Sequence, residues 1–290
     1  MDDTARIDRF LKHALAGVAG PGAPPGLAAA VSHAVFPGGA RIRPRLCVAV
    51  ARACGADSSA AALAAAGAIE LMHCASLAQD DLPCFDDAPT RRGQPSVHSL
   101  YGDRLAILAA DALIVLAFNV LLRQSAGTAE LRLGLLGLLA AATGMPRGIV
   151  SGQAWECERA ASLSDYQREK TGALFAAATM AGALAAGSDP LAWQSVGDHL
   201  GEAYQVADDI CDVIANPQEL GKPAGRDAVL GRPNAGGHLG LPAARARLQQ
   251  LVAQTLAAIP ECPGATELRA IFRAVIEPLL APRVARPAAA

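Results

Sequence analysis

An all-α fold is what this sequence predicts, and three observations predict it. Apolar residues recur at helical spacing, as in Ile7, Phe10, Leu11, Leu15 and Val18. No run shows sustained period-two alternation, the mark of a half-buried strand. Alanine is abundant while aromatics make up only 4% of the chain, which suits helices packed closely through small side chains. The 290 residues allow one large domain or two smaller ones. No linker is long enough to mark a boundary and no internal repeat is evident. A single domain over 1–290 is therefore expected, with a frayed tail over 281–290.

Composition narrows the function. Net charge is −2, which gives no nucleic-acid or polybasic-membrane signature. The seven cysteines form no C-x-x-C pair, so a zinc site is not expected. Their scatter through apolar sequence reads as reduced thiols in a cytoplasmic protein. The acidic start Met1-Asp2-Asp3 lacks the basic segment of a secretory signal. Leu105–Leu122 and Thr171–Ser188 are long enough to span a membrane. Asp111 and Asn119 in the first, and the Ala/Gly composition of the second, favour buried helices instead.

In chain order, Asp3–Val18 is helical and Gly20–Gly26 breaks the chain. A short helix to Val35 precedes the turn Pro37-Gly38-Gly39, after which Arg41 and Arg43 stand just before a new helix. That placement suits an anion at free helix N–H groups, or else a capped, solvated turn. Arg45–Ala53 and Ser58–Leu77 follow as buried helices. Pro83 ends or kinks the second of these, so Asp86 comes from the following loop and curls back. Tyr101–Leu122, Glu130–Thr143, Met145–Arg159 and Ser164–Ala186 are expected as further helices. Within them, Gly152-Gln153 lets another backbone approach closely, and Lys170 either snorkels or aims at an anion in a cavity. Asp189–Asp212, Pro242–Ala258 and Ala265–Leu280 complete the set, with a glycine-rich basic loop over 216–227.

Two acidic clusters interrupt this apolar sequence. Asp80, Asp81, Asp86 and Asp87 fall within eight residues and are followed by Arg91-Arg92-Gly93; Asp208-Asp209-Ile210-Cys211-Asp212 lies far downstream. Crowded carboxylates repel unless a cation sits between them. Oxygen ligands without Cys or His suit Mg2+, which in turn holds phosphate. A guanidinium fork matches phosphate oxygens, so the arginines read as diphosphate ligands. His73 lies seven residues before Asp80 and shares its helix face, as a core histidine or as part of the site. Asp208 and Asp212 face one way, with Gln205 on roughly that side and Asp209 about 100° round. Both clusters facing one cavity, beside alanine-rich helix walls, make a site for a molecule with a diphosphate head and an apolar tail. Its chemistry is ionisation of the diphosphate in a water-poor pocket.

The motifs Asp80-Asp81-Leu82-Pro83-Cys84-Phe85-Asp86 with Arg91-Arg92-Gly93, Lys170-Thr171-Gly172, Gln205 to Asp212 and Gly221-Lys222-Pro223 resemble those of the trans-polyprenyl diphosphate synthases. The resemblance runs from about Phe36 to Arg232 and is most specific to bacterial geranylgeranyl diphosphate synthases of carotenoid pathways. It implies the isoprenoid synthase fold, with helices around a deep central cavity, a homodimer, and three Mg2+ ions. It implies condensation of isopentenyl diphosphate with an allylic diphosphate, either farnesyl diphosphate or a shorter primer. By the same resemblance Asp80, Asp86 and Asp208 are direct metal ligands, with Asp81, Asp209 and Asp212 acting directly or through water. Arg91, Lys170 and Lys222 hold the allylic diphosphate; Arg43, His73 and Arg92 hold isopentenyl diphosphate; Thr171 and Gln205 line the reaction centre.

One position departs from the pattern. The family's Gly-Gly-Lys-Arg is Gly38-Gly39-Ala40-Arg41 here. One charge-assisted contact is worth about 1.5–3 kcal/mol, so its loss weakens isopentenyl diphosphate binding roughly ten- to hundredfold unless Arg41 compensates. Product length follows from Ala75 and Ser76, about 6–7.5 Å down the helix from Asp80. An aromatic at either would cap the tunnel; both are small, which in the family accompanies a C20 product. A farnesyl diphosphate synthase, or a silent regulatory subunit of such an enzyme, are the alternatives.

Overall fold

The computed structural model describes residues 2–36, 38–57, 59–124, 127–158, 163–214 and 240–280, without the side chains of 163–164, 212–214 and 275–280. The frayed tail expected over 281–290 and the basic loop over 216–227 lie outside these residues.

The described chain is helical almost throughout. Its helices are α1 (Asp3–Ala16), α2 (Pro25–Val35), α3 (Ile42–Ala53), α4 (Ala60–Asp80), α5 (Val97–Tyr101), α6 (Asp103–Arg123), α7 (Ala129–Thr143), α8 (Ile149–Ala154), α9 (Leu163–Gln167), α10 (Ala173–Ala185), α11 (Gln194–Ile214), α12 (Leu241–Ala257) and α13 (Ala265–Leu280). The one sheet among the described residues is a two-residue hairpin, Thr90–Arg91 against Gln94–Pro95.

Helix α4 is the axis. Ser59 caps it by accepting the Ala62 N–H at 3.2 Å. Fourteen of its residues are buried, nine of them alanine or glycine, so neighbours approach its backbone from every side. It packs most extensively against α6, then α3 and α10. A second core, built on Phe175, Trp193 and Phe272, ties α3 to α10, α11 and α13. A third joins α11 to α12 through Val206, Ile210, Leu248 and Leu251.

Several boundaries differ from expectation for local reasons. The helix expected over Tyr101–Leu122 is α6, which starts two residues later because Gly102 at φ 80° separates it from the short α5. Only 39% of the most apolar stretch of α6 is buried, so it is not the buried helix foreseen; that stretch in α4 is 72% buried. Both are long and apolar enough to cross a membrane by length and composition. The Met145–Arg159 helix shrinks to α8 and a 3-10 turn at Trp155–Cys157, because Pro146 has no N–H to give and Gly148 is extended. Ser164–Ala186 is broken by a π-turn at Arg168–Gly172, between α9 and α10. A 3-10 turn at Leu191–Trp193 precedes α11.

Candidate active site

The first acidic cluster sits where α4 ends. Asp81 N–H closes the last turn on Leu77 O at 3.0 Å. The loop then folds over the helix end: Asp86 N–H bonds Asp80 O at 2.9 Å and Ala88 N–H bonds Asp81 O at 3.1 Å. Asp86 therefore curls back as expected. The hairpin brings Arg91 onto the same group, where it bonds Asp81 and reaches Asp80 at 3.5 Å and Asp86 at 4.0 Å. Burial works to raise the Asp80 carboxyl, but Lys170 and Arg91 outweigh it and hold it below the usual carboxylate range. Burial prevails at Asp81 and pushes its carboxyl up despite Arg91.

Lys170 enters from the π-turn, a device found often at functional sites. Its ammonium bonds Asp80 at 3.1 Å and also bonds Glu156. It points into the cluster and does not snorkel. Gly152 makes this possible: a Cβ there would stand 2.1 Å from the Lys170 backbone nitrogen. The close backbone approach foreseen at Gly152-Gln153 is thus between α8 and the π-turn.

Sequence reasoning missed Glu156. Its carboxylate also accepts from Tyr166 Oη at 2.7 Å and Gln153 Nε2 at 3.2 Å, while Gln153 Nε2 donates to Asp80 at 3.1 Å. Trp155 Nε1 fixes Glu169 at 2.8 Å beside it. The signal was present as one more acidic residue close after Gly152-Gln153, but nothing local tied it to Lys170.

The second cluster is the end of α11. Asp209 is 3% exposed and turns inward. Gln167 and Gln205 donate to its two oxygens at 3.0 and 2.8 Å, and Thr171 donates to Gln205 at 2.7 Å. Gln205 therefore serves Asp209, one helical turn on, and not the Asp208 face assumed for it. Asp208 is half-buried. The side chain of Asp212 and all of Lys222 lie outside the described residues.

A third group of cations stands beside these. Arg43 stacks on Phe175, 4.4 Å from the ring centroid, and its buried Nε has no partner. His73 Nε2 is 3.4 Å from both Arg43 Nη1 and Arg92 Nη2. Burial, then the guanidinium groups of Arg43, Arg92, Arg91 and Arg41, push His73 well below the usual imidazole range. A neutral His73 accepts from one guanidinium, and the group as a whole offers positive charge to a second anion. Arg41 does not join it. Arg41 is 2% exposed and turned inward, bonding Glu70 at 2.5 Å, Asp8 at 3.0 Å and Val35 O at 2.9 Å. It therefore does not stand in for the missing lysine at Ala40.

Ala75 is 1% exposed in the main core, and Ser76 is half-buried with its hydroxyl on His73 O at 2.9 Å. A cavity of about 800 Å³ lies elsewhere, between α1, α2 and α6. Among the described residues no three metal-ligating side chains stand close enough to share an ion, since Arg91 and Lys170 reach in among the carboxylates. The donor set itself, carboxylate oxygens beside cations suited to phosphate, fits a hard divalent ion bridging to diphosphate.

A helical fold with one acidic cluster threaded by Arg91 and Lys170, and a second at the end of α11 held by Gln167 and Gln205, sets the class, and the chain belongs to the polyprenyl synthetase family, whose model matches residues 24–266. It is 49% identical over 280 residues to a geranylgeranyl diphosphate synthase of Cereibacter sphaeroides, covering 97% of each chain. It is 36% identical to a farnesyl diphosphate synthase of Haemophilus influenzae, covering 93% of this chain and 94% of that one. Among solved structures it is similar to a geranyltransferase from Helicobacter pylori complexed with magnesium and isoprenyl diphosphate, at a TM-score of 0.83 and 28% identity over 95% of this chain and 96% of the other.

Proposed function

We propose that this protein is a prenyltransferase that condenses isopentenyl diphosphate with an allylic diphosphate, farnesyl diphosphate or a shorter primer, and releases geranylgeranyl diphosphate. The single observation that carries this reading is the division of cations into two groups. Arg91 and Lys170 lie on the Asp80 cluster, while Arg43, His73 and the next residue of the same hairpin, Arg92, form a second group. Two diphosphate-bearing substrates need two such places. The higher identity to a geranylgeranyl than to a farnesyl diphosphate synthase supports the C20 product.

In this reading Asp80, Asp86 and Asp208, with Asp81, Asp209 and Asp212, hold three Mg2+ ions. The chemistry such ions supply when bound is neutralisation of the charge growing on the departing diphosphate. Arg91, Lys170 and Lys222 grip the allylic diphosphate, and Arg43, His73 and Arg92 orient isopentenyl diphosphate. Thr171 and Gln205, chained to Asp209, line the reaction centre and keep it free of loose water. The released diphosphate accepts the final proton. Ala75 and Ser76 carry no aromatic ring to cap a growing tail, which weighs against a farnesyl diphosphate synthase. The retention of both acidic clusters weighs against a silent regulatory subunit.

The same reading makes the protein a cytoplasmic homodimer. Support for the dimer comes from α6, whose outward face carries Ile107, Leu108, Val115 and Leu122, each about half exposed, with Leu133 of α7 alongside. Such a contiguous apolar face on one helix marks an association surface.

The test is incubation of the purified protein with Mg2+, labelled isopentenyl diphosphate and farnesyl diphosphate, with products separated by chain length after dephosphorylation. A dominant C20 alcohol is expected, and Ala75→Phe is expected to shift the product from shorter primers to C15. Folded protein that yields no condensation product refutes the enzyme reading.

A further inference from the structure

The cysteines fall into groups that behave differently. Cys47 and Cys74 are sealed in the core, and burial pushes both thiols up to about 12. Cys84 is exposed on the loop after α4, Cys157 is exposed in the 3-10 turn after α8, and Cys211 is on α11. Cys54 and Cys262 are different from all of these. They are far apart in sequence, both partly exposed, and both packed against the core that holds Leu46, Val50, Ile259 and Leu268.

The chain segments carrying them touch. Cys54 caps the C-terminal end of α3, directly after Ala53. Cys262 lies in the connection from α12 to α13, two residues before Gly264. Gly264 N–H donates to Ala53 O at 2.9 Å, and Ala265 N–H turns back onto Cys262 O at 3.1 Å. The two backbones are so close that a Cβ on Gly264 would stand 2.7 Å from Ala53 Cα. The two thiols lie near enough across this junction for Cys262 to act on Cys54, and the Ser188 hydroxyl acts on Cys54 as well.

We propose that Cys54 and Cys262 are a covalent modification site, a thiol pair that a small disulfide such as oxidised glutathione converts to a cross-link between the end of α3 and the α12–α13 connection. One cysteine sulfur attacks the glutathione disulfide, breaking its S–S bond, forming a mixed disulfide and releasing one glutathione thiol that carries the proton. The second cysteine sulfur then displaces the other glutathione. Two thiols are oxidised, one disulfide is reduced to two thiols, and no further reagent is consumed. Burial, with a contribution from Cys262, raises the Cys54 thiol, so exchange is slow at neutral pH and quickens as pH rises. The pair stays reduced in a reducing compartment and closes under disulfide stress.

The cross-link bears on stability and not on the site. Arg43 is at the other end of α3, about 16 Å along the helix from Cys54. The bond closes a loop holding most of the chain, which restricts the unfolded state strongly.

The experiment uses the full-length protein treated with oxidised glutathione, digested without reductant and analysed by mass spectrometry, with melting temperature measured before and after. A linked Cys54–Cys262 peptide is expected, together with a rise in melting temperature of about 5–10 °C that dithiothreitol reverses. Cys54→Ser and Cys262→Ser are each expected to abolish the rise while leaving the activity of the reduced enzyme unchanged. Recovery of both cysteines as free thiols or separate glutathione adducts overturns the proposal. Linkage of either to Cys84, Cys157 or Cys211 does so as well.

Discussion

Glu156 is a carboxylate paired with Lys170, and its work is to aim that cation. Its side chain is 4% exposed and bonded to Lys170, Tyr166 and Gln153, so Lys170 is held between two acids at fixed height over the cluster. Glu156→Gln keeps the Tyr166 bond but weakens the grip on Lys170. Charge-assisted hydrogen bonds are worth about 1.5–3 kcal/mol, so kcat/KM for the allylic diphosphate is expected to fall roughly ten- to hundredfold, read by steady-state kinetics. His73 predicts a pH effect. Its folded pKa lies well below that of the unfolded chain, so below about pH 6.5 the unfolded state takes up a proton that the folded state refuses. Its contribution is level above that pH and turns against folding as pH falls. Thermal melts from pH 7 to 5 are expected to show a shallower loss in His73→Gln than in the wild type; equal slopes would remove His73 as the cause. That His73 shares a helix face with Asp80 was legible from their seven-residue spacing, which left it either a core histidine or part of a site. That it stands between two arginines was not, since Arg43 is brought by another helix and Arg92 by the hairpin turn, where it adopts φ 55°.

At the scale of elements, the informative junction is α8 against the π-turn. The sequence foretold close approach at Gly152, but it foretold a straight helix where the π-turn lies. The π-turn is stitched to the 3-10 turn after α8 by Trp155–Glu169 and Lys170–Glu156 contacts, which no helical periodicity reports. Gly152→Ala puts a methyl against the Lys170 backbone, where nothing flexible yields. Overpacking of this kind costs about 1–3 kcal/mol. A fall in melting temperature of roughly 2–10 °C is expected, with a larger loss in kcat than in fold, measured by calorimetry and turnover on one preparation. Preserved turnover would mean that the π-turn position is not critical to the site.

For the whole molecule, the incompletely buried α6 carries the prediction. Val115→Asp places a charge in the middle of its exposed apolar face. Sedimentation or light scattering is expected to show a shift from dimer towards monomer, with far-UV circular dichroism unchanged. A wild-type monomer at micromolar concentration would remove the assembly. The cation at the start of α3 also belongs to this scale. Arg41 joins α3, α4 and α1 through Glu70 and Asp8, an arrangement whose partners are far apart in sequence. Losing one partner of such a buried pair costs about 3–5 kcal/mol, so Arg41 is part of the frame and not of the site.

The sequence by itself determined the helical class, the two acidic clusters, the curl of Asp86 back onto Asp80 and the need for a cation among them. These follow from spacing within a turn or two of one helix, where geometry is local. Only the tertiary structure decided which cations face the clusters, that Glu156 and Gln167 join them, that Arg41 turns to Glu70, and that α6 keeps an open face. Each of those depends on what a distant segment places opposite a side chain, and a buried charge goes to whichever partner packing brings within hydrogen-bond reach.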